Sequence, residues 1–93
     1  IYIMSNSNRT VLYIGVTNNL YRRYNEHKSG KIEGFTKKYS CHILLYYEEF
    51  QNIEYAIARE KSLKGWSRSK KDNLIREKNP RLEDLGSYLQ WNG

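Results

Sequence analysis

The chain has 93 residues, 39% of them hydrophobic, and carries 16 basic against 10 acidic side chains for a net charge of +6. A chain this short buries about 60–65% of its unfolded surface, enough for one modest core but not for a second domain. The apolar content is too high for a disordered basic tail, and no run approaches the roughly 18 apolar residues of a membrane span. Without a signal-peptide pattern, the membrane, secreted and large cofactor-enzyme classes are disfavoured and a cytoplasmic location is expected.

The opening residue is Ile1 rather than Met, which leads us to expect residues ahead of it. Ile1-Tyr2-Ile3-Met4 is a short β-prone run, Ser5-Asn6-Ser7-Asn8-Arg9 is turn material, and Thr10-Val11-Leu12-Tyr13-Ile14 resumes a strand pattern. Two such runs around a polar turn predict a β-hairpin. After Gly15, Thr17 or Asn18 is placed to cap a helix over 19–28, with Leu20, Tyr24 and His27 on one stripe. Gly30 closes that helix, and the stretch from Gly30 to Lys38 reads as a polar loop.

The third and most apolar strand is expected from Cys41 to Tyr47. The only cysteine, Cys41, has no disulfide partner and no Cys/His neighbours for zinc, so it reads as a buried thiol. Asn52 is a cap for a helix over 53–64 that places Ile53, Ala56, Ile57, Glu60, Leu63 and Lys64 on or near one stripe, and Gly65 ends it. Ser67 starts a further helix through Lys78, which Asn79-Pro80 must stop. Leu82, Leu85 and Leu89 then recur at helical spacing before the terminal Trp91-Asn92-Gly93. The order β-β-α-β-α-α, without repeats, predicts an α/β sandwich.

The positive charge is concentrated. Residues 59–81 hold nine basic side chains against Glu60, Asp72 and Glu77, a local net of +6. Within them Lys64, Trp66, Arg68, Lys70 and Lys71 combine cations with an aromatic ring, as contact with a phosphate backbone requires. The same charges would equally suit a solvated helix face.

Several polar side chains accumulate at spacings of interest. Tyr2 and Tyr13 lie on opposite arms of the hairpin, and Tyr13 leads into Gly15. Arg23 and His27 are four residues apart and share a helix face. Glu60 lies at the edge of a core-facing stripe, where it is either a site carboxylate or an ion-paired surface group. No second carboxylate is placed for glycoside chemistry, and nucleophile triads, phosphate loops and HExxH are absent. Phosphodiester hydrolysis, which needs a base for water, a cation near the phosphoryl oxygens and usually a metal, fits this residue set better.

These motifs, in this order, resemble the GIY-YIG endonuclease superfamily, and more narrowly its small single-domain bacterial branch, the UPF0213 group. Ile1-Tyr2-Ile3 stands for the first motif, Tyr13-Ile14-Gly15 for the second, and the segments from Gly15 to His27 and Ala58 to Arg68 for the helix motifs. The resemblance spans about residues 1–85 as one nuclease-like domain, leaving 86–93 as a C-terminal tail. It implies a small three-stranded antiparallel sheet flanked by helices, and metal-dependent hydrolysis of DNA in repair or recombination. It also implies one divalent cation, Mg²⁺ or Mn²⁺, held by Glu60. Tyr2, Tyr13, Arg23, His27 and Glu60 match the catalytic positions, Gly15 a structural one, and Asn79 most nearly a nucleic-acid-contacting asparagine near the domain end. The expected partner is DNA through its phosphates, with RNA also open and no membrane partner.

Val16 takes a place often held by a smaller or hydroxylated residue, and Leu82 one where the branch often has Trp. Two other functions stay open. One is a weakly active or inactive nucleic-acid-binding module. The other is a repair-associated protein-interaction domain with an apolar patch around Tyr21, Tyr24 or Trp91.

Overall fold

A computed structural model describes residues 1–31 and 34–89. Strands β1 (Tyr2–Ser5) and β2 (Leu12–Gly15) form the expected hairpin, followed by α1 (Leu20–Lys28), α2 (Phe35–Lys38), β3 (Ile43–Tyr47), α3 (Ile53–Lys64) and α4 (Arg68–Lys78). A 3₁₀ turn, Leu85–Tyr88, comes last. The sheet is antiparallel throughout, in the order β2-β1-β3. The fold is thus the anticipated small sheet flanked by helices, with one short helix, α2, inside the segment expected to be a loop. Trp91 and the rest of the terminal segment lie outside the described residues.

Both faces of the sheet are covered, giving three layers. Ile3, Ile14, Leu45 and Tyr46 pack with Ala56, Leu63 and Ile75 of α3 and α4. Tyr2, Met4 and Leu44 pack with Tyr24 and Cys41 on the other face, where Tyr13, Leu20, Leu85 and Leu89 join them. A register shift in the β1–β3 ladder pairs Ile3 with Tyr46 but Met4 with Leu44, leaving Leu45 as the extra residue. This bulge lets the consecutive Leu45 and Tyr46 serve one core while Leu44 and Tyr47 serve the other, which strict alternation forbids.

Polar side chains fix the ends of the elements. The cap of α1 is Asn19, whose Oδ1 accepts from the Arg22 N–H at 3.0 Å, rather than Thr17 or Asn18. Thr17 instead accepts from the Asn19 N–H, bracing the cap from two residues ahead. Asn52 and Ser67 cap α3 and α4 as their spacing predicts. On α3 only Ala56 and Leu63 are buried, while Ile53 and Ile57 are 53% and 41% exposed. Ile57 is rotated about 100° from Ala56, off the narrow stripe that meets the sheet.

Two buried polar ties hold the chain beyond α4. The Asn79 amide donates to the carbonyls of Leu45 and Glu83 and accepts from the Glu83 N–H. Asp84 accepts from the Leu44 and Gly86 N–H groups and from the Tyr24 hydroxyl. Gly86 has no side chain because Tyr24 occupies that volume: a Cβ there would lie 2.0 Å from its ring. Among the described residues, no helix is long and apolar enough to cross a membrane.

Candidate active site

The hairpin register explains the spacing of the two motif tyrosines. Tyr2 pairs with Gly15 and Met4 with Tyr13, so both tyrosines project from the same face of the sheet. The Tyr2 ring lies across Gly15, where a Cβ would come 2.5 Å from the Tyr2 Oη. Gly15 is therefore required by the close approach of that ring, and not by the tightness of the turn that follows it.

Helix α1 brings His27 over this pair. Tyr2 Oη and His27 Nε2 are 3.0 Å apart, and the two rings are 5.6 Å apart. The Tyr13 ring lies 5.6 Å from His27 and 6.2 Å from Tyr2, completing a triangle of rings. Tyr2 and His27 are almost fully buried, whereas Tyr13 is half-buried at the opening. Burial is the main cause that pushes the Tyr2 phenol far above its usual pKa, with Tyr13 adding to the rise and Arg23 opposing it. Burial and then the Arg23 cation hold the His27 pKa below its ordinary value, so the imidazole is neutral at pH 7.

Arg23 stands one helical turn before His27, with a third of its side chain exposed. Its Nε is 3.9 Å from Glu26 Oε1, too long for a hydrogen bond. Arg23 Nε, Glu26 Oε1 and His27 Nδ1 are all buried without a hydrogen-bond partner. Glu60, from α3, has a side chain only 20% exposed, 3.3 Å from Lys64 Nζ. Its negative charge reaches Tyr2 and contributes to raising that phenol's pKa. Tyr2, Tyr13, Arg23 and His27 thus come from β1, β2 and α1 to one neighbourhood, and Glu60 on α3 bears on it through its charge. Among the described residues, no group of three or more His, Cys, Asp or Glu is placed to hold a metal.

Two neighbours were not singled out in the sequence. Phe35 stacks on Tyr13, with ring centroids 6.1 Å apart and planes at 28°. Its signal was an aromatic residue in an otherwise polar segment. Glu26, four residues after Arg22 and three after Arg23, had only the signal of ordinary helical charge pairing.

The basic segment is more committed than its charge suggests. The Arg68 guanidinium bonds Asp72 and the carbonyls of Thr10 and Arg9, tying α4 to the hairpin turn. Arg59 makes a two-pronged contact with Glu48, which also accepts from the Tyr46 hydroxyl. Lys64 pairs with Glu60, and Lys71 is half-buried. Lys70, exposed, sits 4.1 Å from the Trp66 ring centroid, and Arg59 lies 5.1 Å from the same ring. Asn79, expected as a nucleic-acid contact, is 4% exposed, and its amide is spent on the internal tie to Leu45 and Glu83.

The family model described as the GIY-YIG catalytic domain matches residues 1–73. A UPF0213 protein of Vibrio campbellii is 36% identical over 77 residues, covering 83% of this chain and 73% of its own. Another UPF0213 protein, from Natronomonas pharaonis, is 35% identical over 75 residues, covering 81% of this chain and 87% of its own. One from Syntrophus aciditrophicus is 34% identical over 83 residues, covering 88% and 94%. No solved structure gives a significant match. The chain belongs to the GIY-YIG superfamily, in its UPF0213 branch.

Proposed function

We propose that this protein is a divalent-metal-dependent endonuclease that hydrolyses DNA phosphodiester bonds, acting in the cytoplasm in repair or recombination. The observation that carries the reading is the Tyr2–Tyr13–His27 ring triangle with Arg23 one helical turn from His27, and the Glu60 charge felt at Tyr2 supports it. Mg²⁺ is commonly held by one or two carboxylates, with waters and substrate phosphates filling its shell, so a single largely buried Glu60 suits it. When bound, Mg²⁺ or Mn²⁺ would supply charge neutralisation to the reacting phosphate and its leaving group.

The chain's own groups divide the remaining work. Arg23, a third of its side chain exposed beside His27, offers its guanidinium fork to the phosphate oxygens and offsets their developing charge. Tyr13, half-buried between Tyr2 and Phe35 at the opening, addresses the attacking water. Tyr2 Oη and His27 Nε2 share a hydrogen bond of 3.0 Å, so the imidazole orients the Tyr2 phenol. The imidazole and the two phenols thus form one cluster of proton-carrying groups.

The test is a cleavage screen with labelled single-stranded, duplex, flapped and branched DNA and with RNA, in Mg²⁺ or Mn²⁺. We expect products that disappear on chelation and a rate lower by about 10²-fold or more in Glu60→Gln, Arg23→Ala and Tyr13→Phe. Wild-type cleavage by Glu60→Gln would sink the assignment of that carboxylate. A second reading, a binding module with little turnover, is favoured by the ion pair that occupies Glu60 with Lys64. It predicts salt-sensitive retention of DNA with no product.

A further inference from the structure

Next to the ring triangle lies a row of aromatic side chains that the hydrolytic scheme does not use. Phe35 and Tyr39, four residues apart around α2, have ring centroids 4.7 Å apart. Phe35 in turn stacks on Tyr13 at 6.1 Å, so the row Tyr13–Phe35–Tyr39 leads outward from the opening of the candidate site. Phe35 is 46% exposed and Tyr39 42%, against 3% for Tyr2. Leaving two large aromatic faces in water forgoes much of the stabilisation their burial would give. Their surroundings are cationic: Lys31, Lys37 and Lys38 are exposed, and Lys38 Nζ lies 5.5 Å from the Tyr39 ring centroid.

Exposed rings interleaved with lysines are what a single nucleic-acid strand requires, because an unpaired base offers a π-face for stacking and its backbone offers phosphates. A duplex keeps those faces covered by neighbouring base pairs. We propose that Phe35, backed by Tyr39, is a stacking platform for one unpaired base of single-stranded DNA beside the phosphate addressed at Tyr13. Phe35 is then a specificity-determining residue that favours single-stranded or locally opened DNA over intact duplex. This rests on reading the ring triangle as a site of nucleic-acid chemistry. It places the strand-selective contact on α2, away from the basic segment of α3 and α4, where Arg59, Lys64 and Arg68 are engaged within the protein.

The experiment measures binding in chelator, so that it does not depend on turnover. Anisotropy of a labelled short thymidine oligonucleotide and of a duplex is recorded for the full chain, Phe35→Ala, Phe35→Leu and Phe35→Trp. Phe35→Leu keeps apolar bulk without a π-face, so it serves if Phe35→Ala misfolds. We expect single-strand affinity to fall about fivefold or more in the Ala and Leu variants and to persist in Trp, with duplex affinity changing less than about twofold. Irradiating an oligonucleotide that carries 5-iodouracil should map its cross-link to Phe35 or Tyr39. Single-strand binding by Phe35→Leu within about twofold of wild type overturns the platform, as does a cross-link mapping elsewhere. Absence of metal-dependent cleavage alongside a Phe35-dependent single-strand preference removes the nuclease reading and leaves the platform standing. Cleavage with Phe35-independent binding does the reverse.

Discussion

Gly15 shows how one missing side chain organises the site. Tyr2 reaches His27 only by crossing the backbone of β2 at Gly15, and its ring is held there by burial and by the bond to Nε2. A methyl at this position has nowhere to go. Gly15→Ala should destabilise the fold by about 1–3 kcal/mol, as overpacking of a tight site does, and should lower any cleavage rate along with it. Thermal unfolding and the cleavage assay together check this.

His27 gives a pH prediction. Its folded pKa lies below the ordinary value near 6.5, so the folded state prefers the neutral ring. The stability it contributes is complete above about pH 6.5 and is lost as pH falls through the folded value, because the unfolded chain takes the proton first. Denaturant unfolding between about pH 7 and 5 should show declining stability in the wild type and a flatter profile in His27→Gln.

At the level of elements, the ties are made by side chains far apart in sequence. Asp84 joins the segment after α4 to β3 and to α1 through two hydrogen bonds, and a third to the Gly86 N–H fixes its own turn. Asp84→Ala should cost about 2–4 kcal/mol, since charge-assisted bonds are lost and the Leu44 N–H is left unpaired. The loss of Tm would be accompanied by faster amide exchange at Leu44. Arg68 behaves similarly at the other end of α4. It appeared in the sequence as a phosphate contact, but its guanidinium holds the turn of the hairpin through Arg9 and Thr10. Helix α2 was missed because a four-residue helix has no room for apolar periodicity; Gly34 precedes it at φ 93°, a conformation that composition alone does not announce.

For the whole molecule, the net charge of +6 overstates what is available to a polyanion. Arg59, Lys64 and Arg68 are held by Glu48, Glu60 and Asp72. The salt dependence of DNA binding should therefore reflect fewer phosphates than the nine cations of residues 59–81 suggest. Lys70→Ala should reduce the slope of log affinity against log salt by about 1, and leave Tm nearly unchanged. Arg68→Ala should do the opposite, lowering Tm more than the slope. A salt titration paired with thermal melts separates the two.

The sequence by itself determined the hairpin, the long helices and the caps Asn52 and Ser67, because these depend on local periodicity and on a side chain two or three residues from the amide it satisfies. The spaced motifs also carried the superfamily and nominated Tyr2, Tyr13, Arg23, His27 and Glu60. Only the tertiary structure decided which partners the side chains have. A guanidinium in a basic run looks the same whether it faces solvent or, as in Arg68, two carbonyls of a distant turn. Asn79 likewise reads as a surface amide until β3 packs over it, and Phe35 as a loop residue until Tyr13 lies beneath its ring. Local periodicity fixes elements; burial and hydrogen-bond partners, which assign roles, are set by contacts dozens of residues apart.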